Sequence, residues 1–260
     1  VLHPGVSCGR CDFCLRGEGV LCTQIAYLGE HRDGTLAEFV SLPARNVFPM
    51  PEGLSFAQAA ALGVNHLTAW RMLHTKGQIK SWHTVLIFGI GGGVSLAALQ
   101  LAKLTGARVI VTSRHASKLA QALALGADDA IDSSVHGVDK QVMALTQGRG
   151  VDLVIENVGA AVWSSAMKSL VRGGRLVTCG ATTGDQPPAD LRRIFIRQLQ
   201  ILGSTLGDLH EFSDLLMLVE AKGLRPVIDA EYPLAQIHTA LQRLESGEQF
   251  GKVAVRIQDC

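Results

Sequence analysis

No stretch of this 260-residue sequence is apolar for long enough to cross a bilayer; its hydrophobic runs are strand-sized pieces. Charge of one sign is also missing. The 24 Lys and Arg residues stand against 23 Asp and Glu, a net charge of +1, so no nucleic acid or membrane partner is expected. Proline is scarce, at 8 residues, and internal repeats and low-complexity tracts are absent. The opening, Val1 rather than Met, has no signal-peptide pattern, and the chain is read as a piece of a longer protein. What is present suits a sizeable core with tight turns: 47% hydrophobic residues and 28 glycines.

The six cysteines are not spread as a disulfide framework would spread them. Cys8, Cys11, Cys14 and Cys22 crowd into the first stretch, while Cys179 and Cys260 stand alone. The spacing C-x2-C-x2-C-x7-C brings four thiolates within reach of one tetrahedral ion, helped by turns at Gly9 and Gly17. An iron–sulfur site would show a longer separation or a trailing Cys-Pro, and a zinc-ribbon nucleic-acid module two cysteine pairs well apart. The expectation is one structural Zn2+ in a reducing compartment, the cytoplasm. Four protein ligands leave no open position for a substrate, so such a site organises a loop rather than catalysing.

From Thr84 onward, strand and helix patterns alternate, as a doubly wound α/β sheet requires. Val85-Leu86-Ile87-Phe88 reads as a buried strand, and Val94, Ala97, Ala98, Leu101 and Ala102 as one face of the next helix. Further strands are expected at 109–111, 129–131, 153–155, 176–178 and 199–202. Residues 1–63 read as turns and short strands, including Leu36 to Val40 and Val47 to Pro49, with a helix starting near Phe56. A short strand, a helix near 234–244 and a closing strand from Lys252 follow Pro226.

Between the first long strand and its helix lies Gly89-Ile90-Gly91-Gly92-Gly93-Val94-Ser95. Glycines there let backbone N–H groups approach a pyrophosphate at a helix N-terminus. The strict G-x-G-x-x-G fingerprint fails at Val94, so the looser reading uses Gly89, Gly92 and Ser95, the last small enough for close helix packing. At the end of the second strand an NAD site usually keeps a carboxylate for the ribose. This chain has Thr112-Ser113-Arg114, with Lys118 a turn further on; Ser113 and Arg114 could meet a 2′-phosphate, and NADP(H) is therefore expected in preference to NAD(H).

The cysteine cluster, Gly29-Glu30-His31 through Asp33-Gly34-Thr35, the glycine turn and Gly203-Ser204-Thr205 follow the order of the medium-chain dehydrogenase/reductases. Over nearly its whole length the chain resembles that family, closest to its zinc-type alcohol dehydrogenase-like branch near the quinone reductases. The resemblance implies a Rossmann domain at 64–225. It also implies a partial GroES-like β-barrel catalytic domain at 1–63 and 226–260, carrying the zinc lobe. Cys8, Cys11, Cys14 and Cys22 match the structural-zinc ligands. Lys118 matches a ribose-contacting lysine, Thr68 a threonine near the nicotinamide, and Cys179, Gly180 and Ala181 the strand end beside it. Ser204 and Leu206 match main-chain positions that hold the carboxamide.

Two departures from the family pattern matter. The first catalytic-zinc ligands would precede Val1, and the third aligns with Val64, which cannot bind metal; no catalytic zinc is expected. Without a Lewis acid, polarisation of a carbonyl falls to hydrogen-bond donors, for which Asn65 and His66 are the candidates. Three functions follow: an alcohol or carbonyl oxidoreductase, an NADPH-dependent quinone or enone reductase, and a non-catalytic nucleotide-binding fragment. Family members associate through the Rossmann edge strand, so a homodimer or homotetramer built on 193–202 is expected.

Overall fold

The structure, a computed structural model, describes residues 1–135 and 137–258; His136 and Cys260, to which the sequence assigned no role, lie outside the described residues. The chain divides into two units, Val1–Thr68 with Thr205–Cys260, and Ala69–Ser204.

In the first unit β1 (Gly5–Val6) pairs antiparallel with β2 (Ala26–Tyr27), and the loop between them carries the short helix α1 (Asp12–Leu15) and a 3-10 turn, Gly19–Leu21. Helix α2 (Phe56–Ala60) starts on a reciprocal cap: Gln58 N–H donates to Ser55 Oγ at 3.2 Å, and Ser55 N–H to Gln58 Oε1 at 3.0 Å. A widened π-type turn, Leu62–His66, leads into α3 (Leu67–Trp70), and a second such turn, Arg71–Lys76, belongs to the second unit.

The second unit holds six parallel strands: β3 (Thr84–Ile87), β4 (Arg108–Ser113), β5 (Asp129–Asp132), β6 (Val151–Glu156), β7 (Leu170–Thr178) and β8 (Gln200–Gly203). The helices between them are α4 (Gly93–Thr105), α5 (Ala116–Ala124), α6 (Val138–Leu145), α7 (Ala160–Ser169) and α8 (Leu191–Arg197). Strand order is β5-β4-β3-β6-β7-β8, the doubly wound dinucleotide order in which direction reverses between β3 and β6. Strand β3 is buried at every position, which explains its unbroken apolar run: both faces of the sheet are covered. Leu86, Phe88, Ile110, Val154 and Leu176 face one core cluster together with Val142 of α6 and Ala166 and Met167 of α7. Gly106, at φ +89°, ends α4 in the left-handed conformation and turns the chain into β4.

The chain then returns to the first unit as α9 (Leu209–Lys222), β9 (Ile228–Pro233), α10 (Ile237–Glu245) and β10 (Lys252–Arg256), with β9 and β10 parallel. Phe212 of α9 is fully buried, its ring edge-on to His3 at 5.7 Å and to Phe48 at 5.1 Å between centroids. This packing groups α9 with the N-terminal segment, so the unit boundary falls at 204/205 rather than at the 225/226 drawn from sequence.

One expected strand is not formed. Leu36 to Val40 has no regular structure; Phe39 is 87% exposed, and among the described residues no neighbouring strand accepts its hydrogen bonds. An apolar pattern makes a strand only where a partner completes the ladder. Val47, by contrast, bridges to Leu2, and Phe48 N–H donates to the Val1 carbonyl at 2.9 Å.

Candidate functional site

The cysteine lobe is built by backbone turns. Its four Sγ atoms all lie within 4.8 Å of one another, with Cys8–Cys14 at 3.9 Å and Cys11–Cys14 at 3.5 Å. Sulfurs about 2.3 Å from a tetrahedral zinc lie roughly 3.8 Å apart, so the lobe has the dimensions such an ion needs. N–H groups point at the sulfurs: Cys8 N and Gln24 N each lie 3.4 Å from Cys22 Sγ, and Arg10 N lies 3.5 Å from Cys8 Sγ. The N–H groups of Arg10 and Cys11 bring the Cys8 thiol down to about 6. At Cys11 the Cys14 N–H pulls downward, but burial and the neighbouring sulfurs outweigh it and carry the thiol up to about 11. Neighbouring sulfurs thus push these two thiols in opposite directions, as closely packed potential metal ligands do.

In the second unit the glycine turn sits at the carboxyl end of β3, beside the point where strand order reverses. It is pinned to β4: Ile90 N–H donates to the Thr112 carbonyl at 2.8 Å, and Gly89 N–H approaches Thr112 Oγ1 at 3.4 Å. Gly92 caps α4 without a side-chain bond, and the first N–H groups of this 13-residue helix, from Gly93 and Val94, have no acceptor within the helix. Ser95 Oγ donates to the Phe88 carbonyl at 2.9 Å and accepts from Asn157 Nδ2 at 3.3 Å, so the place of a third glycine is taken by a small residue locked in the turn. Gly91, at φ +110°, has a conformation that side chains rarely take, and a Cβ there would lie 2.7 Å from Lys118 Cδ and 3.2 Å from its Nζ. The buried Lys118 thus lays its ammonium across the turn rather than out into solvent.

Ser113, also buried, accepts the His115 N–H at 3.1 Å, whereas Arg114 is exposed. At the ends of β6 and β7 sequence reasoning missed a key residue. Glu156 is fully buried; Oε1 accepts the N–H groups of Val158 and Gly159, and Oε2 the Thr178 hydroxyl at 3.0 Å. A glutamate directly after the buried run Leu153-Val154-Ile155 was the available signal. Cys179 N–H donates to the Glu156 carbonyl at 3.1 Å, and burial, then the Glu156 charge, pushes the Cys179 thiol up to about 12. It stays neutral and is no nucleophile. Gly180 lets this strand end close on Asn157, whose carbonyl would lie 3.0 Å from any added Cβ; Ala181, next in line, is exposed. Ser204 is buried with its Oγ lacking a hydrogen-bond partner.

Of the sites expected in the first unit, Thr68 is buried, Leu206 is buried at φ +46°, and Asn65 is half-buried. His66 is buried with Nδ1 3.3 Å from the Ala61 carbonyl, and Val64 is exposed.

Together these features define a class: a doubly wound dinucleotide-binding unit joined in one chain to a unit carrying a four-thiol metal lobe. Comparison with known families agrees. The zinc-binding dehydrogenase family matches residues 93–221, and the alcohol dehydrogenase GroES-like domain matches residues 1–52. An NAD-dependent alcohol dehydrogenase of Sulfolobus acidocaldarius is 30% identical over 99% of this chain and 74% of its own length. A zinc-type alcohol dehydrogenase-like protein of Schizosaccharomyces pombe is 33% identical over 88% of this chain and 68% of its own. A crystal structure of an NAD-dependent alcohol dehydrogenase superposes with a TM-score of 0.94 at 41% identity, covering 99% of this chain and 75% of that one. The chain belongs to the medium-chain dehydrogenase/reductases, in their zinc-type alcohol dehydrogenase-like family.

These relatives overturn the expected preference for NADP(H), which was drawn from Ser113, Arg114 and Lys118: well-matched members are NAD-dependent. The physical reason lies in where the three side chains go. Ser113 is tied into its own turn, Lys118 lies over the glycines, and the exposed Arg114 is a solvated surface charge. Lack of a carboxylate removes an acceptor without building a phosphate site.

Proposed function

We propose that this chain is an NAD(H)-dependent oxidoreductase acting on a small alcohol or carbonyl compound, with one structural zinc in its cysteine lobe. The observation that carries this reading is the turn from Gly89 to Gly93: orphan N–H groups at the start of α4, with the Lys118 ammonium beside them, suit a diphosphate. Cys179, Gly180, Ala181 and the unpartnered hydroxyl of Ser204 support a nicotinamide end, with Thr68 and Leu206 as further holding positions. When bound, the nicotinamide supplies or accepts the hydride. The chain's own residues bind it, orient it and keep a neutral thiol, Cys179, at the strand end. Zinc would be held by Cys8, Cys11, Cys14 and Cys22, and the free thiols support a reducing, cytoplasmic setting.

The test is a fluorescence titration of the zinc-loaded protein with NADH and NADPH, followed by turnover against alcohols, aldehydes, enones and quinones. Tighter NADH binding with turnover of an alcohol or aldehyde is expected. Turnover confined to enones or quinones would move the chain to the reductases, and failure of the folded protein to bind either dinucleotide would overturn the reading.

Association of copies is proposed at β8, the outer strand of the sheet. Two of the three arginines of α8 turn inward: Arg193 bonds the carbonyls of Met167 and Lys168, and Arg197 that of Leu170. Leu191 and Phe195 are left outward, each 68% exposed. Phe195→Glu is expected to shift a dimer or tetramer toward monomer in sedimentation; an unchanged mass would remove this edge from the interface.

A further inference from the structure

A buried carboxylate ties the cysteine lobe to the start of α9. Val20 N–H donates to Asp208 Oδ1 at 2.6 Å, a bond between residues 188 apart in sequence, and Asp208 is only 5% exposed. Val20 belongs to the Gly19–Leu21 turn, whose Gly19 carbonyl accepts the Cys22 N–H at 3.1 Å. That turn delivers Cys22, the buried fourth sulfur of the cluster.

Asp208 is also the N-cap of α9, in a capping box with Glu211; its own N–H donates to Glu211 Oε2 at 2.7 Å. Two residues earlier stands Leu206, held at φ +46°, a left-handed conformation costly for a branched side chain. The segment is gripped on every side. His3 Nε2 lies 2.9 Å from the Gly207 carbonyl, a Cβ on Gly207 would be 2.6 Å from Leu67 Cδ1, and one on Gly5 would be 3.1 Å from Leu206 Cδ2. A cavity of about 370 Å3 is lined by Cys14, Gly17 and Gly19 from the lobe and by Asp208, Leu209 and His210 from the start of α9. The Val20–Asp208 bond bridges it.

We propose that Asp208 is a positioning residue that couples metal occupancy of the cysteine lobe to dinucleotide binding, by tying the turn before Cys22 to the strained turn at Leu206. The inference rests on the reading of Leu206 as a cofactor-holding position. With the metal in place the Gly19–Leu21 turn is fixed, Asp208 keeps its donor, and Leu206 is held ready. Without it nothing bonds the four converging sulfurs to one another, the turn loosens, and Leu206 relaxes toward an ordinary conformation. Binding then includes the cost of reordering it.

The experiment is a coupling cycle on the whole chain, with and without zinc, removed by dipicolinate. In the wild type, zinc removal is expected to weaken NADH binding about tenfold and to speed hydrogen exchange at 206–212. In zinc-loaded Asp208→Ala, binding is expected to be weaker by the same factor with one zinc retained, and zinc removal should add no further loss. Asp208→Asn keeps an acceptor oxygen and should restore the coupling. Val20→Pro removes the donor, leaves Asp208 intact and should behave like Asp208→Ala, which covers the case in which loss of the cap prevents folding. Equal zinc effects in wild type and either uncoupled variant, on NADH affinity and on exchange alike, would overturn the proposal. If zinc-loaded wild type binds no NADH, the dinucleotide reading is what falls, and exchange at 206–212 still decides the coupling.

Discussion

Gly91→Ala is expected to weaken NADH binding by about tenfold or more while leaving the six-stranded sheet folded. Two costs combine. The backbone at φ +110° is strained for any side chain, and the new methyl would stand 2.7 Å from Lys118 Cδ. Lys118 can swing aside, but only by leaving the turn where its ammonium neighbours the proposed diphosphate position. The loss therefore falls on binding as well as on stability, which should drop by roughly 1–3 kcal/mol. Titration of NADH fluorescence against a thermal melt separates the two. Wild-type affinity in a folded Gly91→Ala protein would mean that the diphosphate does not sit on this turn.

Cys22→Ser is expected to lose the bound zinc and to lower the unfolding temperature of the first unit by on the order of 10 °C. Cys22 is the buried member of the cluster, receives N–H groups from Cys8 and Gln24, and is fed by the turn that Asp208 holds. Metal analysis and calorimetry check both effects; a full zinc equivalent with an unchanged melt would show that the sulfurs serve something else. The same lobe predicts a pH dependence. Near pH 7 the Cys8 thiol, at about 6, is already largely ionised, whereas Cys11, at about 11, still holds its proton. Zinc uptake should therefore release protons into a weakly buffered solution. Zinc affinity should fall as pH drops through about 6, where Cys8 takes its proton back.

The sequence by itself determined whatever depends on short spacing. Four cysteines within fifteen positions specify their own cluster, since turns at Gly9 and Gly17, both at positive φ, are enough to fold the loop around an ion. Buried strand runs such as Val85 to Phe88, and the glycine turn after them, report backbone conformation and burial, which are local properties. Tertiary structure decided what depends on distant partners. Leu36 to Val40 carries a strand-like pattern yet forms none, because a strand exists only with a neighbour. Glu156 and Asp208 look like ordinary acidic residues until the fold buries each of them against donors, and in the case of Asp208 one donor lies 188 positions away. The expected preference for NADP(H), overturned by NAD-dependent relatives, was the least legible. Ser113, Arg114 and Lys118 have the composition of a phosphate site, but a binding site is a matter of where charges point. Chain closure aims Lys118 at Gly91 and leaves Arg114 in solvent.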